Sequence, residues 1–220
     1  MNVADINVEL ITSCGDDVTI VNAARVSFNK ESNELSDKDT KLLNYLAKHK
    51  HLSPFNHAFM SFRVKAPIFV ARQLVKHKFM PWNEVSRRYV TNEPEFYIPS
   101  CWRKAAENVK QGSSEEIVDV TEIGMDYAED IPIDAVWSSF EAYQRLLEKG
   151  VCPEQARMVL PQNTMTEWIW SGTLGAFCDM LTLRLKPDTQ KETREVAQKV
   201  AYIVEELFPE SYKARMTYGN

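Results

Sequence analysis

The sequence predicts an α+β fold, a compact mixed antiparallel sheet packed with helices. Two segments, at 5–11 and 58–65, alternate apolar and polar residues as half-buried strands do. Segments with helical apolar periodicity are interspersed without regular strand–helix alternation, which argues against a parallel α/β sheet. The 220 residues include no Gly/Ser-rich linker and no internal repeat, so we expect a single domain spanning 1–220.

The N-terminal elements follow from these patterns. The first strand is 5–11. The next segment, 36–49, has the apolar spacing of a helix, with Ser36 as its N-cap. In the strand at 58–65 the apolar side alternates with a polar one, which predicts an antiparallel strand with one face in the core.

The middle of the chain predicts a short helix and a short strand. Pro67 suits the first position of a helix that runs to about Lys76, because its missing N–H costs nothing there. Residues 86–91 predict a strand. The 104–131 segment is acidic in its second part and predicts a surface excursion of helix and loop.

The C-terminal part predicts three helices and one strand. The first helix, 133–149, is closed by Gly150 in the position after its end. The alternation at 164–170 predicts a strand, and 172–185 and 188–207 predict two helices.

Composition limits the classes of function. The net charge of −5 argues against sequence-independent DNA binding, which needs many Lys and Arg facing phosphates, and we expect no nucleic-acid partner. Net charge alone leaves a local basic groove for RNA open. No apolar run approaches the ~18 residues of a membrane span, and no signal peptide is evident, so we expect neither a membrane partner nor secretion. Four cysteines lack Cys-x-x-Cys spacing, which predicts no metal site, four buried reduced thiols and a cytoplasmic location: Cys14, Cys101, Cys152 and Cys178.

A basic segment, residues 73–89, stands out in this acidic chain and predicts a pocket for a small phosphorylated ligand. If 86–90 is a strand, Ser86 and Arg88 point to the same side and offer a hydroxyl and a bidentate cation to a phosphate monoester. Glu84 could accept from a sugar hydroxyl or a base N–H. His77 lies between two lysines, so we expect its imidazole to be neutral near pH 7.

Other interpretations remain open for these residues. The cations on the helix after Pro67 also suit a solvated face near a helix C-terminus. Arg157 and Arg184 border apolar segments, and each needs a salt-bridge partner or a ligand. No nucleophile elbow, Gly-x-Gly-x-x-Gly or Walker sequence is present, so redox or group-transfer chemistry would require an organic cofactor.

The chain resembles the flavin-dependent thymidylate synthases at seven places that follow the family's order. The family signature Arg-His-Arg, seven residues, Ser is similar to Lys76-His77-Lys78, seven residues, Ser86. Further segments that resemble the family are Ala23–Phe28, His51–His57, Lys65–Gln73, Glu95–Pro99, Ala156–Pro161 and Leu183-Arg184.

The resemblance implies a methyltransferase that converts dUMP to dTMP. Methylenetetrahydrofolate would give the carbon, and FAD reduced by NADPH would give the hydride. It also implies a homotetramer whose active sites are shared between subunits. Two rival hypotheses are a family member that binds nucleotide with weakened flavin chemistry and a non-catalytic nucleotide- or RNA-binding module.

The resemblance also implies site residues. Ser86 and Arg88 would hold the phosphate, Arg184 would polarise the uracil, and Arg184 and Ser86 would be the catalytic residues. The residues implied for dUMP are Gln73, Glu84, Ser86, Arg87, Arg88, Arg157 and Arg184. Those implied for FAD are Ser27, His51, Ser53, Asn56, Lys76, His77, Lys78, Thr173 and Asp179.

The chain departs from the family pattern on the flavin side. Lysines replace both arginines of the signature, and a lysine offers a point charge instead of a planar fork. Thr173, Gly175 and Asp179 stand where the family usually has Asn, Arg and Asn. We therefore expect altered flavin contacts and an intact nucleotide side.

Overall fold

A four-stranded antiparallel sheet lies at the centre of the computed structural model, which describes residues 1–107, 113–123, 127 and 130–219. The strands are β1 (Asn2–Val3), β2 (Asn7–Cys14), β3 (Phe59–Pro67), β4 (Trp82–Glu84), β5 (Glu95–Phe96), β6 (Arg103–Ala105), β7 (Ser113–Ile117) and β8 (Met165–Thr173). The central sheet has the order β2-β3-β8-β4, while β1 pairs with β5 and β6 pairs with β7.

The helices cover this sheet. They are α1 (Asp17–Arg25), α2 (Asp37–Lys48), α3 (Ile68–Leu74), α4 (Asp130–Glu148), α5 (Pro153–Ala156), α6 (Leu174–Arg184), α7 (Lys191–Leu207) and α8 (Pro209–Tyr218). The mixed α+β class with an antiparallel sheet is therefore confirmed.

The two central strands, β3 and β8, pair over nine residues each, with Phe62 opposite Trp170. The predicted strands at 58–65 and 164–170 are both confirmed and extend further than predicted. Alternate residues of both strands enter the core, as the alternation predicts. On the opposite face, side chains near the middle of the two strands are also partly buried. There the Ser61 and Ser171 hydroxyls share a 2.7 Å hydrogen bond.

Several helix boundaries follow the sequence signals. Ser36 forms a capping box with Asp39 at the start of α2, as a Ser N-cap should. Gly150, with φ of +79°, follows α4 and its amide bonds to the Leu147 carbonyl. α3 is shorter than predicted: it ends at Leu74, and Pro67 is its extended N-cap residue.

The helices α6 and α7 lie within the predicted 172–185 and 188–207 segments. Val196, Val200 and Val204 of α7 are buried, which is the amphipathic stripe that the sequence indicates. The helices α1 and α8 were not predicted. They pack together through Asp17, a buried carboxylate that accepts the backbone N–H groups of Glu210 at 3.0 Å and Ser211 at 2.9 Å.

Two structural predictions are wrong. Residues 86–91 are not a strand, because the amides of Tyr89 and Val90 both bond back to the Ser86 carbonyl and close a turn. All four cysteines are free thiols, but only Cys178 is buried; Cys14 and Cys152 are exposed and Cys101 is half-buried.

Part of the predicted surface excursion lies outside the described residues. Its described parts contain β6, β7 and a 3-10 turn at Val120–Ile123. Within the described ranges, no helix is both long and apolar enough to cross a membrane.

Candidate active site

Strand β8 organises the candidate residues into three groups along its length. At its N-terminal end lies a cavity of about 580 Å³. Near its middle, Trp170 faces His77, which belongs to a second group with Gln73 and Arg184. At its C-terminal end, Thr173 meets Asn56.

The cavity is lined by four cationic and three acidic side chains: Lys65, Arg72, Arg87 and Arg157, with Glu84, Glu95 and Glu167. Glu84, Arg87 and Arg157 were predicted as ligand-binding residues, and the structure brings these three together. Lys65 is neutralised by Glu95 at 2.6 Å. Arg87 donates to the Asn92 carbonyl at 3.0 Å and Arg157 to the Glu154 carbonyl at 3.3 Å, so both guanidiniums keep their charge and most of their donors.

Sequence reasoning missed Arg72 as a cavity residue. It lies on α3 next to Gln73, and its exposed side chain has no ion pair or hydrogen bond within the described part of the chain. Its position on the polar side of a short helix looked like an ordinary solvated face. In the folded chain, β4 and the 157–162 segment pack beside α3, and only then does this face line a cavity.

Glu84 is held in a fixed orientation at the cavity. One carboxylate oxygen accepts from Trp82 Nε1 at 3.1 Å, and the other accepts from Thr166 Oγ1 at 2.8 Å. Both donors lie on the sheet, because β4 pairs with β8 and Trp82 stacks on Trp168. Each oxygen retains a lone pair for a ligand N–H or O–H group.

Ser86 and Arg88 do not line the cavity, and the predicted strand that would align them does not exist. They meet instead in a turn, where the Arg88 amide donates to Ser86 Oγ at 3.3 Å. The Arg88 guanidinium donates to Glu154 at 3.0 Å, with both side chains about half exposed. A surface pair of this kind is weak, so an incoming phosphate can replace Glu154.

Gln73, His77 and Arg184 form a hydrogen-bonded group. Arg184 donates through Nε to His77 Nε2 at 3.0 Å and through a terminal nitrogen to the Gln73 carbonyl at 3.4 Å. The Gln73 side-chain amide donates to the Gln190 side-chain oxygen, a partner that sequence reasoning did not identify because it lies 117 positions away.

The prediction that His77 is neutral is confirmed, but the reason is different. Burial of the ring and, second, the Arg184 cation lower the pKa of His77 to about 4. Its flanking lysines, Lys76 and Lys78, are exposed to solvent.

The candidate flavin residues gather near the C-terminal end of β8. Asn56 Oδ1 accepts from Thr173 Oγ1 at 2.7 Å, and Thr173 also caps α6 by accepting the Ala176 amide. The loop that carries Lys76 and Lys78 returns to β8, where the Ser171 amide donates to the Pro81 carbonyl at 3.1 Å. Ser53 lies on the same 3-10 turn as Asn56.

The three other predicted flavin residues are all exposed. His51 and Ser27 are exposed on loop and turn segments. Asp179 is exposed but engaged, because its carboxylate accepts from the buried Arg215 at 2.5 Å.

Gly175 explains one departure from the family pattern. A Cβ at this position would lie 2.3 Å from Asn56 Oδ1, so any side chain would displace Asn56. Glycine here therefore permits the Asn56–Thr173 contact.

The cavity and the Asn56–Thr173 group lie apart within one chain. Thr166, at the cavity, and Thr173, at the end of β8 with the candidate flavin residues (the flavin end), are seven residues apart, which is about 23 Å in an extended strand.

Comparison with known proteins gives consistent results. The sequence model of a family described as thymidylate synthase complementing protein matches residues 9–210. A curated flavin-dependent thymidylate synthase of Thermus thermophilus is 42% identical over 207 residues, covering 94% of this chain and 74% of the relative. One from Thermosipho melanesiensis is 36% identical over 211 residues, covering 96% and 90%.

A solved structure is similar over the whole chain. The UMP/dUMP methylase PolB from Streptomyces cacaoi, bound with 5-Br dUMP, superposes with a TM-score of 0.87 at 32% identity. The similarity covers 100% of this chain and 98% of PolB.

Proposed function

The chain belongs to the thymidylate synthase complementing protein family, and we propose from this that it is a flavin-dependent thymidylate synthase, an enzyme that methylates dUMP reductively to dTMP. Methylenetetrahydrofolate supplies the carbon, and NADPH reduces the FAD. The observation that carries the proposal is the cavity in which cationic side chains surround the oriented carboxylate of Glu84. Such a site suits a ligand with one anionic end and neutral donors at the other.

The proposed dUMP residues have distinct roles. Arg87 and Arg157 line the cavity with their charges available, and Glu84 accepts from the nucleoside. Ser86 and Arg88 hold the phosphate after Arg88 releases Glu154. Gln73 and Arg184 contact the uracil, where the guanidinium stabilises negative charge that develops on the ring. Arg184 and Ser86 are the proposed catalytic residues.

The donors at the C-terminal end of β8 fit FAD. Asn56, Ser53 and Thr173 offer uncharged hydrogen-bonding groups, and Lys76 and Lys78 offer exposed cations for its diphosphate. When bound and reduced, FAD supplies the hydride chemistry for which the chain itself has no group. The remaining proposed FAD residues are Ser27, His51, His77 and Asp179.

We propose further that the protein is a cytoplasmic, single-domain homotetramer with shared active sites. The separation of the cavity from the flavin end supports the shared site. Large apolar side chains beside the candidate residues, 73–91% exposed, offer surfaces for subunit contact: Val26, Phe28, Phe79, Tyr89 and Met158.

The rival hypotheses have less support. Similarity to curated enzymes extends over 94% of the chain, and no observation favours RNA as a ligand. The altered flavin residues affect how FAD is held, and they leave the cavity unchanged.

Anaerobic turnover tests the function. Purified protein with dUMP, methylenetetrahydrofolate, NADPH and FAD should form dTMP, measured by chromatography, and dUMP should shift the flavin absorption bands. Arg184→Ala should abolish dTMP formation without unfolding the protein, while Lys186→Ala, an exposed neighbouring cation, should keep it. Failure to take up flavin at high FAD concentration would refute the proposal.

A further inference from the structure

The hydrogen bond between His77 and Arg184 joins a proposed flavin residue to a proposed dUMP residue. The atoms are His77 Nε2 and Arg184 Nε, 3.0 Å apart. Arginine is always a donor in proteins, so His77 Nε2 must be the acceptor and carry a lone pair. The imidazole is therefore neutral with its proton on Nδ1.

This contact constrains the guanidinium. The second contact, to the Gln73 carbonyl at 3.4 Å, comes from the end of α3, and His77 lies just beyond that helix. The two contacts use two of the five N–H groups of arginine and leave the others for a ligand.

His77, which accepts the hydrogen bond from Arg184, is positioned by contacts of its own. Its backbone N–H donates to the Leu74 carbonyl at 3.1 Å, and its ring lies 6.5 Å from the Trp170 ring. A half-buried ring between a helix end and the central strand is a firm support for the long side chain of Arg184.

We infer that His77 is a positioning residue for Arg184, which it orients toward the uracil by accepting a hydrogen bond as the Nδ1-protonated neutral imidazole. This inference rests on the proposed function. It goes beyond a flavin contact, because it makes dUMP affinity depend on His77. It also explains why the ring should stay neutral: a proton on Nε2 would replace the hydrogen bond by repulsion between two cations.

Two variants of His77 distinguish a positioning role, through the hydrogen bond to Arg184, from a role in packing alone. His77→Gln can place an amide oxygen near the position of Nε2 and keep an acceptor for Arg184, whereas His77→Leu cannot. With dUMP titrated into the FAD-loaded protein by calorimetry, we expect His77→Leu to weaken binding about ten-fold and His77→Gln to stay within about three-fold of the unmodified protein. In an Arg184→Ala background neither substitution should weaken dUMP binding further.

The tautomer provides a second measurement, which needs no substrate and uses the His77→Gln variant only to assign the signal. Nitrogen-15 NMR of the imidazole at pH 7.5, assigned from the signal lost in His77→Gln, should show Nδ1 protonated and Nε2 unprotonated. A proton on Nε2, equal losses in the Gln and Leu variants, or a loss that persists without Arg184 would each overturn the inference. If the unmodified protein binds no dUMP, the proposed function fails and the inference falls with it; normal turnover with the wrong tautomer would refute the inference alone.

Discussion

The ionisation of His77 is set by contacts that are distant in sequence. Its two lysine neighbours are in solvent, while Arg184, 107 positions away, donates to its ring. The sequence therefore predicts the neutral state but not its cause. Which side chains surround a ring depends on how α3 and α6 pack, and that information is not contained in adjacent residues.

The lowered pKa of His77 should make folding stability depend on pH. The folded ring titrates near 4 and the unfolded ring near its ordinary 6.5, so the unfolded chain binds more protons between these values. The contribution of His77 to stability is complete above pH 6.5 and is lost as the pH falls toward 4. Urea unfolding at pH 7.5, 6.0 and 4.5, at one protein concentration, measures the loss.

The comparison protein for this titration is His77→Gln, which cannot be protonated. Its stability should fall less between pH 7.5 and 4.5, since the other titrating groups are common to both proteins. The difference in slope cannot exceed that of one proton, about 1.4 kcal/mol per pH unit. Parallel pH profiles would contradict the assignment.

At the scale of elements, the contact between α6 and the Ser53–Asn56 turn requires a residue without a side chain, Gly175. Gly175→Ala should push Asn56 away from Thr173, because the new Cβ would lie 2.3 Å from Asn56 Oδ1. The displaced atom ends a flexible side chain, so the fold should survive. The loss of one hydrogen bond, about 1 kcal/mol, is offset by a gain in helix propensity of similar size. The affinity for FAD, measured by flavin fluorescence titration, should fall several-fold.

Asn56→Ala provides the matched control for this prediction. It removes the amide directly and should weaken FAD binding as Gly175→Ala does. Because both changes act through one side chain, the double variant should be no weaker than either single variant. Additive losses, or an unchanged FAD affinity in Gly175→Ala, would show that Asn56 does not contact the cofactor.

The helices α1 and α8 are joined by a buried carboxylate. Asp17 is 6% exposed and accepts two N–H groups from the first turn of α8. Asp17→Asn retains one acceptor oxygen and turns an amide donor toward backbone donors. We expect a loss of about 1–3 kcal/mol in the free energy of unfolding, measured with urea. Asp134→Asn, an exposed position on α4, should change it by less than about 0.5 kcal/mol.

At the scale of the molecule, the central strands could be predicted because alternate residues of β3 and β8, such as Phe62 and Val64 or Trp168 and Trp170, lie in the core. The turn after β4 could not, because Ser86–Val90 contains no glycine or proline to indicate it; the turn is closed by the amides of Tyr89 and Val90, which both bond to the Ser86 carbonyl. The packing of α1 against α8 could not be predicted from the sequence, because Asp17 and Ser211 are 194 positions apart.

The site residues could be predicted where a sequence motif identified them. They could not be predicted where packing between distant segments brought them together. Glu84 was identified from the basic segment, whereas its two donors, Trp82 and Thr166, are set by strand register. Arg72 lines the cavity only because other segments of the chain pack beside α3. Local sequence identifies reactive side-chain types, and the fold decides which of them are neighbours.

The length of β8 leads to a prediction about the assembled molecule. The cavity with Arg157 and the loop with Lys78 lie toward opposite ends of this strand, so one active site should draw these residues from different subunits. Arg157→Glu and Lys78→Glu each place a negative charge where an anionic ligand is proposed to bind, and each variant alone should be inactive. Tetramers that contain both variants should regain activity, because some sites combine the intact half of each.

Random assembly from equal amounts of the two variants should restore about a quarter of the sites, since each half must come from the right chain. Co-expression with two affinity tags, sequential purification to isolate mixed assemblies, and dTMP formation measure this fraction. Assemblies of either single variant with the doubly substituted chain are the control, and they should stay inactive because every site then contains a damaged half. If sites were built within one subunit, mixed tetramers would contain no intact site, and an absence of activity in mixed assemblies of normal size would refute the shared arrangement.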